Sequence, residues 1–285
     1  MNIFLQLIVS GLLAGGIYGL ISVGLTLIFG VLNMVNFAHG EFLMISMYAA
    51  FWSVTLLGLD PYVTAPIVII FMFLLALVVQ RIVIKPVVEA PHTVQIVVTL
   101  GLATMFQNLA LMLWSGNYRT IRPSYANYVF NLGILHISLT RLIAFLVAIT
   151  STILLYWYVR HSFFGKAIRA TAQDIKAAKL VGINVDRVFY LTFAIGIALV
   201  GLAGVVLIPL YPVYPMVGWN FVNIAFISVV LGGLGSLPGA MAGGITVGLV
   251  EAIAGYYLGS EFQQAAYFAI FIILLLIRPS GFLKK

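Results

Sequence analysis

The chain has 285 residues, 63% hydrophobic and only 7% charged, with 14 Lys and Arg against seven Asp and Glu for a formal net charge of +7. An ordinary soluble domain is roughly a quarter charged, so this composition excludes a soluble globule and defines an all-α, polytopic helical membrane protein, a single transmembrane domain over residues 1–285. There is no hydrophilic block long enough for a soluble domain, no G-x-x-x-x-G-K-[ST] phosphate loop and no cysteine, and His39, His92, His136 and His161 have no ligand spacing, so no catalytic, cofactor or metal site is legible.

About 20 apolar residues cross a bilayer as a helix. On that measure nine segments are expected, 3–29, 41–58, 62–80, 94–114, 139–158, 189–210, 220–235, 239–258 and 262–278, with a range of eight to ten because some are irregular. The start Met1-Asn2-Ile3-Phe4 lacks the positive region and cleavage site of a signal peptide, so the first segment is expected to be retained. It is long enough either to tilt or to break near Gly30.

The polar run from Asn33 through Asn36 and His39 to Glu41 joins the first two spans. It reads either as a turn in which Asn36 and Glu41 cap the second helix, or as a gate or solute path built on Asn36, His39 and Glu41.

The connections 81–93, 160–187 and 279–285 carry Arg81 and Lys85, then Arg160, Lys166, Arg169, Lys176, Lys179 and Arg187, then Lys284 and Lys285, with Arg278 at the last helix end. Positive-inside sorting assigns all three to the cytoplasm, with the N-terminus outside and the C-terminus inside, and explains the basic balance without nucleic acid. Arg119 and Arg122, in the external 115–138 loop, run against the bias.

The largest polar island is 160–187. Within it, 174–181 suits a short helix ended by Gly182, with an apolar patch of Ile175, Ala178 and Leu180 or Val181 flanked by Lys176, Lys179 and Arg169. Such a helix either lies on anionic lipid or docks in a groove of a cytosolic partner.

Late in the chain, Gly232, Gly233, Gly235, Pro238 and Gly239 break the apolar pattern. A broken or re-entrant helix is therefore expected there, inside the membrane, buried or lining a cavity. Glu251 falls within the eighth segment, near the bilayer centre and with no basic partner in view; it is either a buried, hydrogen-bonded carboxylate or a proton-coupling site on the translocation path. Small residues at four-residue spacing, Gly11, Gly15 and Gly19 in the first segment and Ala240, Gly244, Gly248 and Ala252 in the eighth, serve either packing within the chain or a subunit interface.

Asn36-Phe37-Ala38-His39-Gly40-Glu41, the island from Gly165 through Asp174 to Arg187, and the run from Leu231 to Ala240 together resemble the LivH-type permease of branched-chain amino acid ABC importers, over nearly the whole chain. The resemblance implies a permease subunit of a bacterial inner membrane importer of Leu, Ile and Val, without a catalytic site of its own. Implied partners are a second, similar permease, two cytosolic ATP-binding subunits that hold ATP and Mg, and an extracytoplasmic solute-binding protein. The Lys176-Ala177-Ala178-Lys179-Leu180-Val181-Gly182 run is similar to the coupling loop that seats in the ATPase, with Arg169 and Asp174 beside it. Lys176 stands where an acid often precedes the alanines. A permease for other amino acids or urea, and a proton-coupled secondary transporter using Glu251, are the rival expectations.

Overall fold

The computed structural model describes residues 2–133, 135–278 and 281–282. Helix α1 (Asn2–Leu32) crosses without interruption and ends where Asn33 takes a left-handed φ of 50°, so Gly30 is not a break. Helix α2 (His39–Leu57) follows, then a 3-10 turn capped by Asp60 leads into α3 (Ala65–Val79), which closes in a π turn, Gln80–Ile84. Helix α4 is His92–Trp114. The connection after it holds an antiparallel hairpin, β1 (Val129–Leu132) on β2 (Leu135–Ser138), that the apolar pattern did not suggest.

Helix α5 (Leu139–His161) leads into the polar island, which forms two helices, α6 (Phe163–Gln173) and α7 (Ile175–Leu180), where the sequence suggested one. Then come α8 (Val185–Leu207), α9 (Val217–Gly232), α10 (Leu237–Tyr257), a 3-10 turn and α11 (Gln263–Ile277). Among the described residues eight helices have the length and apolarity of a membrane span. The ninth expected segment, 220–235, is α9, at 16 residues too short for one.

The two faces can be told apart by what joins on them. On one, Gln6 of α1 exchanges hydrogen bonds with the backbone of His136 in β2, both 2.9 Å. On the other, Lys85 pairs with Asp186 at 2.7 Å, Lys179 with Glu89 at 3.7 Å, and the Phe282 N–H donates to the Leu231 carbonyl. The basic connections 81–93 and 160–187 therefore share one face, and α1 begins on the other. Lys284 and Lys285 lie outside the described residues.

Lipid offers no hydrophobic drive for helix pairing, so close packing must supply it. Helix α1 is the hub; Leu20, Val23 and Ile28 expose no surface. It runs antiparallel to α10 along a seam of small residues, where a Cβ on Gly15 would lie 2.6 Å from the Ile245 Cα and one on Gly244 would lie 2.2 Å from the Gly19 nitrogen. The four-residue spacing thus serves packing within the chain. Arg119 is equally local: it donates to the Trp114 carbonyl at 2.9 Å and its guanidinium lies over the Phe51 and Trp52 rings. That anchoring accounts for a basic residue on the less basic face.

Candidate functional site

The island is built by a relay of caps. Ser162 Oγ accepts the Gly165 N–H at 2.8 Å to start α6, Asp174 Oδ1 accepts the N–H groups of Lys176 and Ala177 to start α7, and Asn184 Oδ1 accepts the Arg187 N–H to start α8. Each satisfies donors that an uncapped helix start leaves open. Gly182 turns the chain between α7 and α8 at a φ of +84°, a conformation disfavoured for residues with a Cβ. Arg169 donates to the Val159 and Arg160 carbonyls, tying α6 to the end of α5.

The apolar patch expected on α7 divides. Ala178 is buried and Ile175 half-buried against the body, whereas Leu180 and Val181 are 88% and 75% exposed, beside exposed Lys176 and Ala177. Lys179 reaches Glu89, and Asp186, hydrogen-bonded to Lys85, holds that ammonium above the ordinary lysine value.

The glycine-rich break lies against this island rather than deep in the membrane. The Gly235 N–H donates to Thr26 Oγ1 at 3.0 Å, Ser236 caps α10, and Gly233 and Gly235 have φ of +97° and +87°. Gly232 and Gly239 meet backbone to backbone, and Pro238 shares with Thr26, Arg160, Arg169 and Ala172 a cavity of about 530 Å³. The turn is at the basic edge because α10 runs antiparallel to α1 and starts beside its end.

The break that runs to depth is instead the 33–38 segment, which starts at the same edge, where Asn33 shares a cavity with Thr171, Ile175 and Gly235, and leads to His39 beside Ile21. Asn36 Oδ1 accepts the Ala38 N–H at 3.0 Å, an Asx turn, and no side chain caps α2. His39 Nε2 meets the Ile21 carbonyl of α1 at 3.0 Å, and Glu41 Oε1 accepts from Gln107 Nε2 of α4 at 2.8 Å. These polar groups are buried and point to different helices, so His39 and Glu41 do not converge. Gly40 abuts Gly218, the second residue of α9; a Cβ on either would fall 2.2–2.4 Å from the other's carbonyl oxygen.

Glu251 lies six residues before the end of α10, in the half of that helix away from the basic connections. It lines a cavity of about 310 Å³ with Tyr18, Tyr211, Tyr214, Asn220 and Phe221. Arg141, at the start of α5, lies within electrostatic range, a basic neighbour the linear sequence did not reveal. The tyrosines and Gln107 were missed; the pattern Tyr211-Pro212-Val213-Tyr214-Pro215 was the available signal for part of this site.

A hub of long apolar helices, buried polar breaks and a capped polar island define a multi-pass helical membrane protein. Residues 7–278 match the family described as branched-chain amino acid transport system / permease component, and the chain belongs to that family. It is 34% identical to the high-affinity branched-chain amino acid transport system permease protein LivH of Salmonella typhimurium, and equally to BraD of Pseudomonas aeruginosa, the matches covering 99% of this chain and 96% of each relative. The solved structure of PsaBC from Streptococcus pneumoniae in complex with Fab shares the fold, with a TM-score of 0.53 at 16% identity over 97% of this chain and 92% of that one.

Proposed function

We propose that this chain is the permease subunit of an ATP-driven importer of Leu, Ile and Val. It works with a second permease, two ATP-binding subunits that hold ATP and Mg, and a solute-binding protein on the outer side. The basic face is cytoplasmic, with the N-terminus outside and the C-terminus inside, and the chain contributes no catalytic site. The observation that carries the reading is the capped α6–α7 island, which presents exposed Leu180 and Val181 next to Lys176 and Lys179 on the basic face.

Apolar anchors with a charged rim suit a helix that seats in a groove of another protein. Asp174, Lys176, Ala177, Leu180 and Gly182 form or shape that contact. Arg169, Ala178 and Lys179 bind the island to the body, so a pull on α7 is transmitted to α5 and α8. ATP-driven closure of the partner subunits would then shift the island and the adjoining turn from Gly232 through Gly233, Gly235 and Pro238 to Gly239. Such a shift reaches α9, whose other end presses on Gly40 beside Asn36, His39 and Glu41.

The test is uptake of radiolabelled leucine by proteoliposomes holding all the subunits. Uptake that needs ATP, survives loss of the proton gradient and is competed by isoleucine and valine supports the reading. Uptake that collapses with the gradient while ATP persists replaces it with proton coupling through Glu251. Gly182→Pro, or charge reversal at Lys176 and Lys179, is expected to leave membrane insertion intact and uncouple ATP hydrolysis from uptake.

A further inference from the structure

We infer that the cavity at Glu251 is an outward-facing binding site for the α-ammonium and aliphatic side chain of a zwitterionic amino acid; the inference deepens the importer reading and rests on it. The cavity lies between Tyr18 at the middle of α1, the last two turns of α10 and the start of α9. It is roofed where the loop carrying Tyr118 meets the segment carrying Tyr211 and Tyr214. That junction is fixed by a pair of backbone hydrogen bonds between Arg119 and Val213, at 3.0 and 2.8 Å. At about 310 Å³ it falls in the range typical of small-molecule sites, roughly 300–1,000 Å³.

The lining matches the proposed ligand. The Tyr118 and Tyr214 rings stand 4.5 Å apart, tilted, and those of Tyr211 and Phe221 5.4 Å apart, edge to face, so aromatic surface flanks the Glu251 carboxylate on the side away from Arg141's helix α5. Glu251 Oε2 is buried and makes no hydrogen bond of ordinary length among the described residues, and the protein groups that act on the carboxylate are the Tyr18 hydroxyl and, at longer range, the Arg141 guanidinium. An ammonium group placed there would gain an ionic hydrogen bond and cation–π contact together. Val217, Phe221 and Ile224 supply apolar wall for an aliphatic side chain.

On the other side of Glu251 a polar cavity of about 480 Å³ carries Asn220, Asn223, Gln263 and Gln264, whose amides can donate to a carboxylate or to water, along with a second acid, Glu261. The base of the first cavity is the first turn of α9, the turn pressed on Gly40 at the deep break. Movement of α9 therefore releases the site and the break together.

Because the chain contains no cysteine, Asn220→Cys places one thiol at the wall shared by both cavities. In the assembled transporter, labelling of that thiol is followed by mass spectrometry with thiosulfonate reagents carrying a trimethylammonium or a sulfonate group. The cationic reagent is expected to react roughly tenfold faster than the anionic one, and Glu251→Gln added to Asn220→Cys to bring that ratio close to one. With Glu251 intact, leucine and 3-methylbutylamine are expected to slow labelling severalfold, and 4-methylpentanoate, which lacks the ammonium, to leave it unchanged.

A ratio unmoved by Glu251→Gln, or protection by 4-methylpentanoate equal to that by the amine, overturns the assignment. If the double variant fails to assemble, the protection series on Asn220→Cys alone decides. Protection by the amine in a complex that takes up no leucine with ATP would defeat the importer reading and leave the site standing. ATP-driven leucine uptake with both labelling comparisons flat would defeat the site alone.

Discussion

The α1–α10 seam and the 160–187 island are held together in opposite ways. Along the seam, glycines bring backbone against backbone with no room for one added carbon. On the island, helix caps and two ion pairs at the polar edge do the work, and large apolar side chains stand free. A seam with no slack moves as one body, whereas a capped island with exposed anchors is suited to being gripped. On the importer reading, the contrast separates the part that would transmit motion from the part that would receive it.

The largest expected effect comes from filling the seam. Gly244→Leu forces a side chain into the α1 backbone, where neither partner can yield, and overpacking of this kind costs on the order of 1–3 kcal/mol or more. Loss of monodisperse protein on size-exclusion chromatography in detergent is expected; a normally folded variant would mean that the seam has slack. Gly40→Ala is expected to come next, since its Cβ meets the Gly218 carbonyl and the Val222 side chain. A lowered melting temperature should accompany a larger fall in uptake than in ATP hydrolysis, because the contact joins α9 to the deep break.

Asp174→Ala tests the island. Loss of a helix cap costs about 1 kcal/mol, and α7 is short and peripheral, so the folded body should persist with an unchanged melting temperature. On the importer reading, uptake falls several-fold while the ATP-binding subunits remain bound less tightly, measured by co-purification at increasing salt. Unchanged uptake and binding would show that α7 needs no defined geometry.

Much of this was legible in the sequence because apolar length and charge sorting are local properties. Eight of the nine expected spans, the shared face of 81–93 and 160–187, and the short helix over 174–181 ended by Gly182 follow from spacing alone. What escaped depended on residues far apart in the chain. Nothing near Gly232 says that its turn sits at the membrane edge; the antiparallel match of Gly15 with Gly244 decides that. His39 and Glu41, two residues apart, looked like one site, yet one turns to Ile21 and the other to Gln107. Glu251 looked solitary until α1, α9 and the 208–216 segment brought Tyr18, Phe221 and Tyr211 around it.

The smallest expected effect belongs to the ion pair at the island's edge. The hydrogen bond from Lys85 to Asp186 raises the ammonium above the ordinary lysine value of 10.5 in the folded state. A raised folded value means that the contribution is complete below the unfolded value and disappears as pH climbs through the folded one, so it is constant at neutral pH and lost only in strong alkali. Both partners are exposed, and exposed pairs are weak and screened by salt. Lys85→Met should therefore leave the melting temperature at pH 7 unchanged. A shift of several degrees that vanishes at high salt would show that the 81–93 connection helps hold the island to the body, and would narrow the difference between the two regions.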